Sequence, residues 1–397
     1  MAEDPLIRVG LLGTGWAAGR HAEALRRLPG VQLSAVAGLD AAGVRAFADR
    51  RDVPTAHADA AALLADRSID AVHVCTINAV HAEQARDALA AGKHVLCEKP
   101  LGVSTAETAE LVAVAEEARR ERGLVSAVCF NYRHYPVVEH LRRALAEREH
   151  GAPHFVHGSY LQDWLLRATD WSWRLDERAG GRSRAVADIG SHWTDLAQHL
   201  LGASAVEVLA DLTTLHPERR RPLRAAQTFA AAQDGETEPV AITTEDFAAV
   251  MLRFDNGVRG SFVVSQTSAG HKNQLTIDID CADASVAWDQ ERPERVWIGR
   301  RGAPNLELVR DPDALALPAD SRSALPAGHP EGWNDALLDL TSAFYATVRA
   351  AREGEEHASS LATFADGHRI VQLVDAIVES NERRGWVAVG QPVEAGA

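Results

Sequence analysis

Short apolar runs alternate with amphipathic stretches through the first third of the chain. Leu6–Leu12, Val31–Ala37, Ile69–Thr76, His94–Glu98 and Leu124–Phe130 read as strands. Between them, Trp16–Leu28, Ala41–Arg50 and Val80–Ala91 carry apolar residues at helical spacing; in the first, these are Ala17, Ala24, Leu25 and Leu28. Ser104 followed by Glu107 spells a capping box, and Gly123 a stop, so a long helix is expected between them. Strands separated by helices of this length imply parallel βαβ units with helices on both sheet faces. Ligands of such sheets gather at the carboxyl ends of the strands. The pattern puts Gly13, Thr76, Glu98 and Lys99 at those ends.

Beyond residue 130 this rhythm stops. Val137–Glu147 reads as helix. Period-two alternation then marks Phe155–Leu161, Val206–Leu212, Ala248–Phe254, Gly257–Ser265, Leu275–Ile279, Ala287 and Val296–Ile298 as strands of a mostly antiparallel sheet, with Asn256-Gly257 as a hairpin signal. Arg219–Glu238 is polar and expected as a loop, Arg310–His329 as irregular chain, and Trp333–Ala350 as a helix. The expected class is α/β: a doubly wound parallel sheet over 1–130, then an α+β domain over 131–397.

Composition changes this picture mainly by exclusion. The 397 residues are 46% hydrophobic and carry a net charge of −15, which argues against nucleic-acid or anionic-membrane partners. Cys75, Cys97, Cys129 and Cys281 form no CxxC pair and are expected as reduced core thiols. No apolar stretch approaches 18 residues and no hydrophobic leader is visible, so a cytoplasmic location is expected. His150, His154 and His157 lie close in sequence but make no convincing ligand triad; no metal is expected.

Gly13-Thr14-Gly15-Trp16-Ala17-Ala18 fits G-x-G-x-x-A between the first strand and first helix. Gly13 permits the tight turn, and Gly15 lets backbone approach a pyrophosphate. Ala18 lets the helix pack close, and the helix N-terminus faces the phosphate. A dinucleotide cofactor follows. The acid that usually closes the second strand is missing: Gly38 stands there and Asp40 comes two later. Glycine leaves room for a 2′-phosphate, yet no arginine follows immediately and Arg45 is the nearest. NAD and NADP both stay open.

Lysine is almost absent: the 41 basic residues include only Lys93, Lys99 and Lys272. Lys99, in Glu98-Lys99-Pro100 at a strand end, points to a redox site, since lysine joins proton chemistry where arginine does not. Further on, Asp188-Ile189-Gly190-Ser191-His192 puts a carboxylate and an imidazole four apart, on one face if the segment is helical. Moving a hydride to or from an alcohol also moves a proton, and histidine titrates near neutrality. The alternative is an N-cap aspartate and a core histidine.

These segments together — LLGTGWAAGRHAEAL, CEKPLG and GGxxxxxxDIGSHWTDL — resemble the Gfo/Idh/MocA family of sugar and cyclitol oxidoreductases, in order and spacing from Ile7 to about Leu201. The resemblance implies a Rossmann domain followed by an α/β domain whose open sheet commonly forms an oligomer interface, hence a homo-oligomer, dimer or tetramer. It also implies Lys99, Asp188 and His192 as catalytic residues. His192 would take the hydroxyl proton, Lys99 would hydrogen-bond that oxygen, and Asp188 would position the sugar through a neighbouring hydroxyl. Thr76, Asn78, His81, Glu98 and Lys99 itself join Gly13, Thr14, Gly15, Trp16, Ala17, Gly38 and Asp40 around the dinucleotide.

For a carbohydrate or polyol substrate, the chain offers Asn131 and Arg133 after the last Rossmann strand. Trp164 and Trp173 lie in an aromatic-polar stretch before the DxxxH. A hinge ion pair and an aromatic core are the alternatives. Two further functional readings use the same residues: redox-assisted cleavage of a glycoside, and a non-catalytic dinucleotide-binding regulator.

Overall fold

Five of the six residues of the first strand, β1 (Ile7–Leu12), are buried, as expected of a strand covered on both sides. A computed structural model describes residues 5–223, 235–317, 324–355, 357 and 359–390. The chain divides into two units. The first contains residues as far as Tyr135 together with Gly332–His368.

In the first unit β1 is followed by α1 (Trp16–Arg26), β2 (Val31–Ala37), α2 (Ala41–Arg50), β3 (Thr55–His57), α3 (Ala60–Ala65), β4 (Ala71–Val74), α4 (His81–Ala90), β5 (His94–Cys97), α5 (Thr105–Arg122) and β6 (Ser126–Val128). All strand pairings are parallel and the order is β3-β2-β1-β4-β5-β6, the doubly wound arrangement expected. The Ser104 hydroxyl accepts the Glu107 N–H at 3.3 Å, Glu107 accepts the Ser104 N–H at 2.9 Å, and Gly123 ends α5 at φ 64°. The capping box and stop are therefore real. β3 and α3 are additions that the hydrophobic pattern did not announce, being too short to show a period.

The helix Trp333–Glu353 packs Leu340, Phe344 and Val348 into the same core as Ile7, Val9, Leu11 and Val36. A helix more than two hundred residues beyond β6 thus completes the first unit's core. Periodicity marks such a helix but not which sheet receives it.

The second unit begins at Pro136. It contains α6 (Pro136–Ala146), β7 (Pro153–Leu161), the short α7 (Glu177–Gly180), α8 (Ser191–Leu201), β8 (Ala205–Thr213), β9 (Glu218–Pro222), β10 (Thr237–Ala241), β11 (Phe247–Phe254), β12 (Arg259–Ser265), β13 (Gln274–Cys281), β14 (Ser285–Asp289), β15 (Arg295–Gly299), β16 (Leu306–Val309) and β17 (Val387–Ala388). Nine strands form one sheet, β16-β15-β14-β13-β7-β12-β11-β8-β17, antiparallel except between β7 and β12. The expectation of a loop over Arg219–Glu238 is corrected at both ends. Arg221 and Glu238, each a misleadingly polar strand residue, face one another across the two-stranded β9–β10 ladder. The part of that loop from 224 to 234 lies outside the described residues, as does 318–323 of the expected irregular chain.

Register explains the one-sided burial of the nine-stranded sheet. Leu252, Gly260, Val156, Ile279, Val286 and Ile298 line up across it and are buried. Their strand neighbours Met251, Ser261, His157, Asp278, Ala287 and Trp297 line up on the opposite face and remain partly or largely exposed. On the buried face Trp193 of α8 stacks on Phe262 at 4.6 Å and donates its Nε1–H to Thr276 O at 3.0 Å. Gly158 sits where a Cβ would come within 2.9 Å of that indole nitrogen. This anchor fixes the start of α8 against the sheet.

Candidate functional site

The first unit holds the glycine turn at the carboxyl end of β1. Gly13 has φ +108°, and a Cβ there would lie 2.5 Å from Cys75 O at the neighbouring end of β4. Both conditions require glycine. Gly15 is the N-cap of α1, has no side-chain cap, and would direct a Cβ into open space. The first N–H groups of α1 therefore open onto room for a pyrophosphate, the fit that a dinucleotide needs. Ala18 is fully buried, as the close packing of helix on sheet demands. Thr14 and Ala17 flank the turn, and Trp16 is half exposed with its ring 5.2 Å from that of Trp333.

At the end of β2, a Cβ on Gly38 would be 3.1 Å from Val44 Cγ2. The Asp40 carboxylate accepts the N–H groups of Ala42 at 3.2 Å and Gly43 at 3.0 Å, capping α2.

The ends of β4 and β5 are tied together. His81, almost fully buried, places Nδ1 2.7 Å from Pro100 O and Nε2 3.2 Å from Thr76 O. Its ring staples the loop after Lys99 to the loop after β4, and burial lowers its pKa against the pull of those carbonyls. Thr76 donates its hydroxyl to Gln84 Oε1 at 2.7 Å, and Asn78 is buried at the start of the turn into α4. Glu98 bonds to His21, and its Oε2 accepts the Lys99 N–H at 3.1 Å. Burial pushes the Glu98 carboxyl up, but the His21 hydrogen bond and the neighbouring Lys99 charge outweigh it and hold it at about 2. Lys93, by contrast, is structural. Its buried ammonium donates to Asp66 O and Ile69 O and so ties down a loop.

In the second unit the chain enters α8 through a wide turn, Val186–Gly190, with π-type bonding. Asp188 and His192 lie one turn apart on this continuous helical segment. Arg174 Nε donates to Asp188 Oδ1 at 3.2 Å, and Gln266 Nε2 donates to Oδ2 at 2.8 Å. Gln266 Oε1 in turn accepts from Arg184 at 2.8 Å. Arg184 and Arg219 both pair with the fully buried Asp246. Glu245 receives the N–H groups of Arg184 and Val186 and the Ser183 hydroxyl. These bonds fix the loop-to-helix entry that carries Asp188.

His192 is 8% exposed, with its ring 6.4 Å from that of Tyr160. The Tyr160 hydroxyl and Gln162 Nε2 both donate to Asn273 Oδ1, and Trp164 donates to Gln162. This polar cluster suits a polyhydroxylated ligand. Neither Gln266 nor Tyr160 belongs to a motif: one follows β12 and the other lies in β7, and only folding brings them beside Asp188 and His192.

Trp164 and Trp171 pack on the small apolar cluster of Leu165, Leu175 and Ile242, so the aromatic-core alternative accounts for part of this stretch. Trp173 instead lies under the Arg174 guanidinium at 4.5 Å. Asn131 and Arg133 are buried in the first unit, where Arg133 pairs with Asp366 at 3.7 Å.

Comparison with known proteins agrees with this architecture. Residues 7–124 match the family model described as an oxidoreductase family with an NAD-binding Rossmann fold, and 138–287 match the GFO/IDH/MocA C-terminal domain. The levoglucosan dehydrogenase of Pseudarthrobacter phenanthrenivorans is 29% identical over 405 residues, spanning 97% of this chain and 98% of that protein. A crystal structure of an oxidoreductase domain protein from Kribbella flavida superposes with a TM-score of 0.87 at 30% identity, covering 98% of this chain and all of the other. The structure of levoglucosan dehydrogenase in complex with NADH and L-sorbose gives 0.85 at 27%, with the same coverage. With the doubly wound sheet, its glycine turn and the open nine-stranded sheet all matched along the whole chain, the protein belongs to the Gfo/Idh/MocA family of oxidoreductases and carries that family's NAD-binding Rossmann fold.

Proposed function

We propose that this protein is an NAD(P)-dependent dehydrogenase acting between a ring secondary hydroxyl and the corresponding ketone of a sugar, glycoside or cyclitol. The observation that carries this reading is Asp188, held on both oxygens by Arg174 and Gln266, one helical turn from His192. The nicotinamide supplies the hydride acceptor or donor. Gly13, Thr14, Gly15, Trp16 and Ala17 would hold its pyrophosphate, with Gly38, Asp40, Thr76, Asn78, His81 and Glu98 around the rest.

His192 takes the proton from the reacting hydroxyl as general base. Lys99 hydrogen-bonds the same oxygen and stabilises its developing negative charge. Asp188 accepts from a neighbouring hydroxyl and so selects which carbon faces the cofactor. Trp164, Trp173, Asn131 and Arg133 are substrate-side candidates. An acceptor at Asp188 with the Arg174 donor beside it suits a neutral polyol, whose hydroxyls can both give and accept hydrogen bonds. The exposed row through Met251 and Trp297 supports the same sheet as a surface for self-association.

The test is a screen of cyclic sugars, glycosides and inositols, followed at the reduced-nicotinamide absorbance. It runs with both dinucleotides because the end of β2 offers neither an acid for a ribose hydroxyl nor an adjacent arginine for a 2′-phosphate. Lys99→Ala and His192→Ala should each lower kcat about a hundredfold or more. Released aglycone without net cofactor reduction would move the assignment to redox-assisted glycoside cleavage. Full activity of both variants would remove these residues from the chemistry.

A further inference from the structure

A hydrogen-bond chain runs through the interior of the first unit and ends at Glu98. The Tyr345 hydroxyl is 2.8 Å from His73 Nε2, His73 Nδ1 is 2.8 Å from His21 Nδ1, and His21 Nε2 is 3.2 Å from Glu98 Oε1. The other Glu98 oxygen receives the Lys99 backbone N–H. His21 and His73 are fully buried, and Tyr345 is 1% exposed.

Two imidazoles facing each other through Nδ1 at this distance share one proton, so one donates and the other accepts. If His21 were the donor, its bare Nε2 would confront the Glu98 carboxylate, acceptor against acceptor. With one proton on each ring, the reverse order satisfies every group: Tyr345 O–H gives to His73 Nε2, His73 Nδ1–H gives to His21 Nδ1, and His21 Nε2–H gives to Glu98. Burial keeps His73 neutral, and Glu98 is held ionised, so it has no proton to return. The Cys129 thiol lies 3.7 Å from His21 Nε2; burial and the Glu98 charge keep it protonated.

We infer that Tyr345, His73 and His21 form a one-way donor chain that fixes the Glu98 carboxylate and, through it, the backbone at Lys99. The three are positioning residues for the strand-end lysine, a role that rests on the proposed use of Lys99. Nothing in the sequence announces the chain: its members lie on α1, β4, the helix Trp333–Glu353 and the end of β5.

The donor order is tested on the full-length protein labelled with 15N at histidine. Long-range proton–nitrogen spectra, assigned with His21→Gln and His73→Phe, report which ring nitrogen carries each proton. The expected pattern is His73 protonated at Nδ1 and bare at Nε2, with His21 protonated at Nε2 and bare at Nδ1. The opposite pattern, or a doubly protonated His21, overturns the inference. So does stoichiometric zinc in the purified protein, since His21, Glu98 and Cys129 place three potential ligand atoms within 4.8 Å of one another.

Kinetics test the positioning. His21→Phe should lower kcat about tenfold with the substrate KM unchanged, and His21→Gln, whose amide can still donate to Glu98, should recover most of it. Equal losses in both variants would reduce the chain to a purely structural role. If His21→Phe fails to fold, Tyr345→Phe, which removes a single hydroxyl, should shift the His73 Nε2 resonance; an unmoved resonance would break the chain at its first link. A fully active Lys99→Ala with the expected spectra would instead refute the role of Lys99 and leave the donor order standing.

Discussion

Gln266 donates its side-chain N–H to Asp188 while its carbonyl accepts from Arg184. A guanidinium has only donors, so Arg184 dictates which end of the amide faces it and leaves the NH2 group for Asp188. Gln266→Glu should therefore preserve the Arg184 contact and set a second carboxylate against Asp188. A hydrogen bond to a charged group is worth about 1.5–3 kcal/mol, so kcat/KM should fall roughly ten- to hundredfold. Thermal melting should fall as well, because the two carboxylates meet in the interior, and steady-state kinetics with circular dichroism check both halves. Unchanged kinetics would mean that Asp188 does not depend on Gln266.

The same network reaches Asp246, whose side chain is fully buried between Arg184 and Arg219 and also accepts the N–H groups of Leu215 and His216. Burial raises its pKa, but the two guanidinium groups more than reverse this and keep it ionised. Asp246→Ala would strand two buried cations. Breaking such an arrangement from one side costs about 3–5 kcal/mol, which urea unfolding would register as a lower midpoint.

The two glycines of the cofactor turn should separate stability from binding. Gly13→Ala forces a side chain into left-handed backbone and against Cys75 O, and should destabilise the fold by about 1–3 kcal/mol. Gly15→Ala meets no atom within 4 Å and has an ordinary φ of −77°, so melting should not change. Its methyl group occupies the space in front of α1, and titration with NADH by fluorescence should show weaker binding. Normal NADH affinity in Gly15→Ala would place the pyrophosphate elsewhere.

Acid should weaken the first unit before it touches the carboxylates. Burial lowers His94 to about 4, and its Nδ1 accepts the Val125 N–H at 3.0 Å, which requires the bare nitrogen. The unfolded chain takes up that proton near pH 6.5, whereas the native state resists until about 4. The stabilisation is complete above pH 6.5 and is lost as pH falls to 4, up to about 3 kcal/mol. Buried His73 acts in the same direction. Melting temperatures from pH 7 to 4 should fall for the wild type and fall less for His94→Asn, whose carbonyl can still accept from Val125.

Reading these residues in one dimension went far where the signal was local. The strand–helix rhythm, the Gly13–Ala18 turn and the Ser104–Glu107 box are each set by neighbours a few positions apart, and their chemistry does not wait for the rest of the chain. The one-turn spacing of Asp188 and His192 was legible for the same reason: four residues of helix put them on one side. Arg219–Glu238 misled because polarity marks solvent exposure, and the exposed β9–β10 ladder is as polar as a loop.

What tertiary structure alone decided is which distant residues serve these local features. Glycine spacing specifies a turn, but only folding brings Cys75 O against Gly13 and makes that glycine obligatory. DxxxH specifies a face, while Gln266 and Arg174 reach Asp188 through sheet register and loop path. Lys99 was conspicuous as a rare residue at a strand end; the longest single link of the His21–His73–Tyr345 chain behind it spans 272 residues. Such pairings carry no periodic signal, because a hydrogen bond depends on distance in space and leaves no spacing in the sequence.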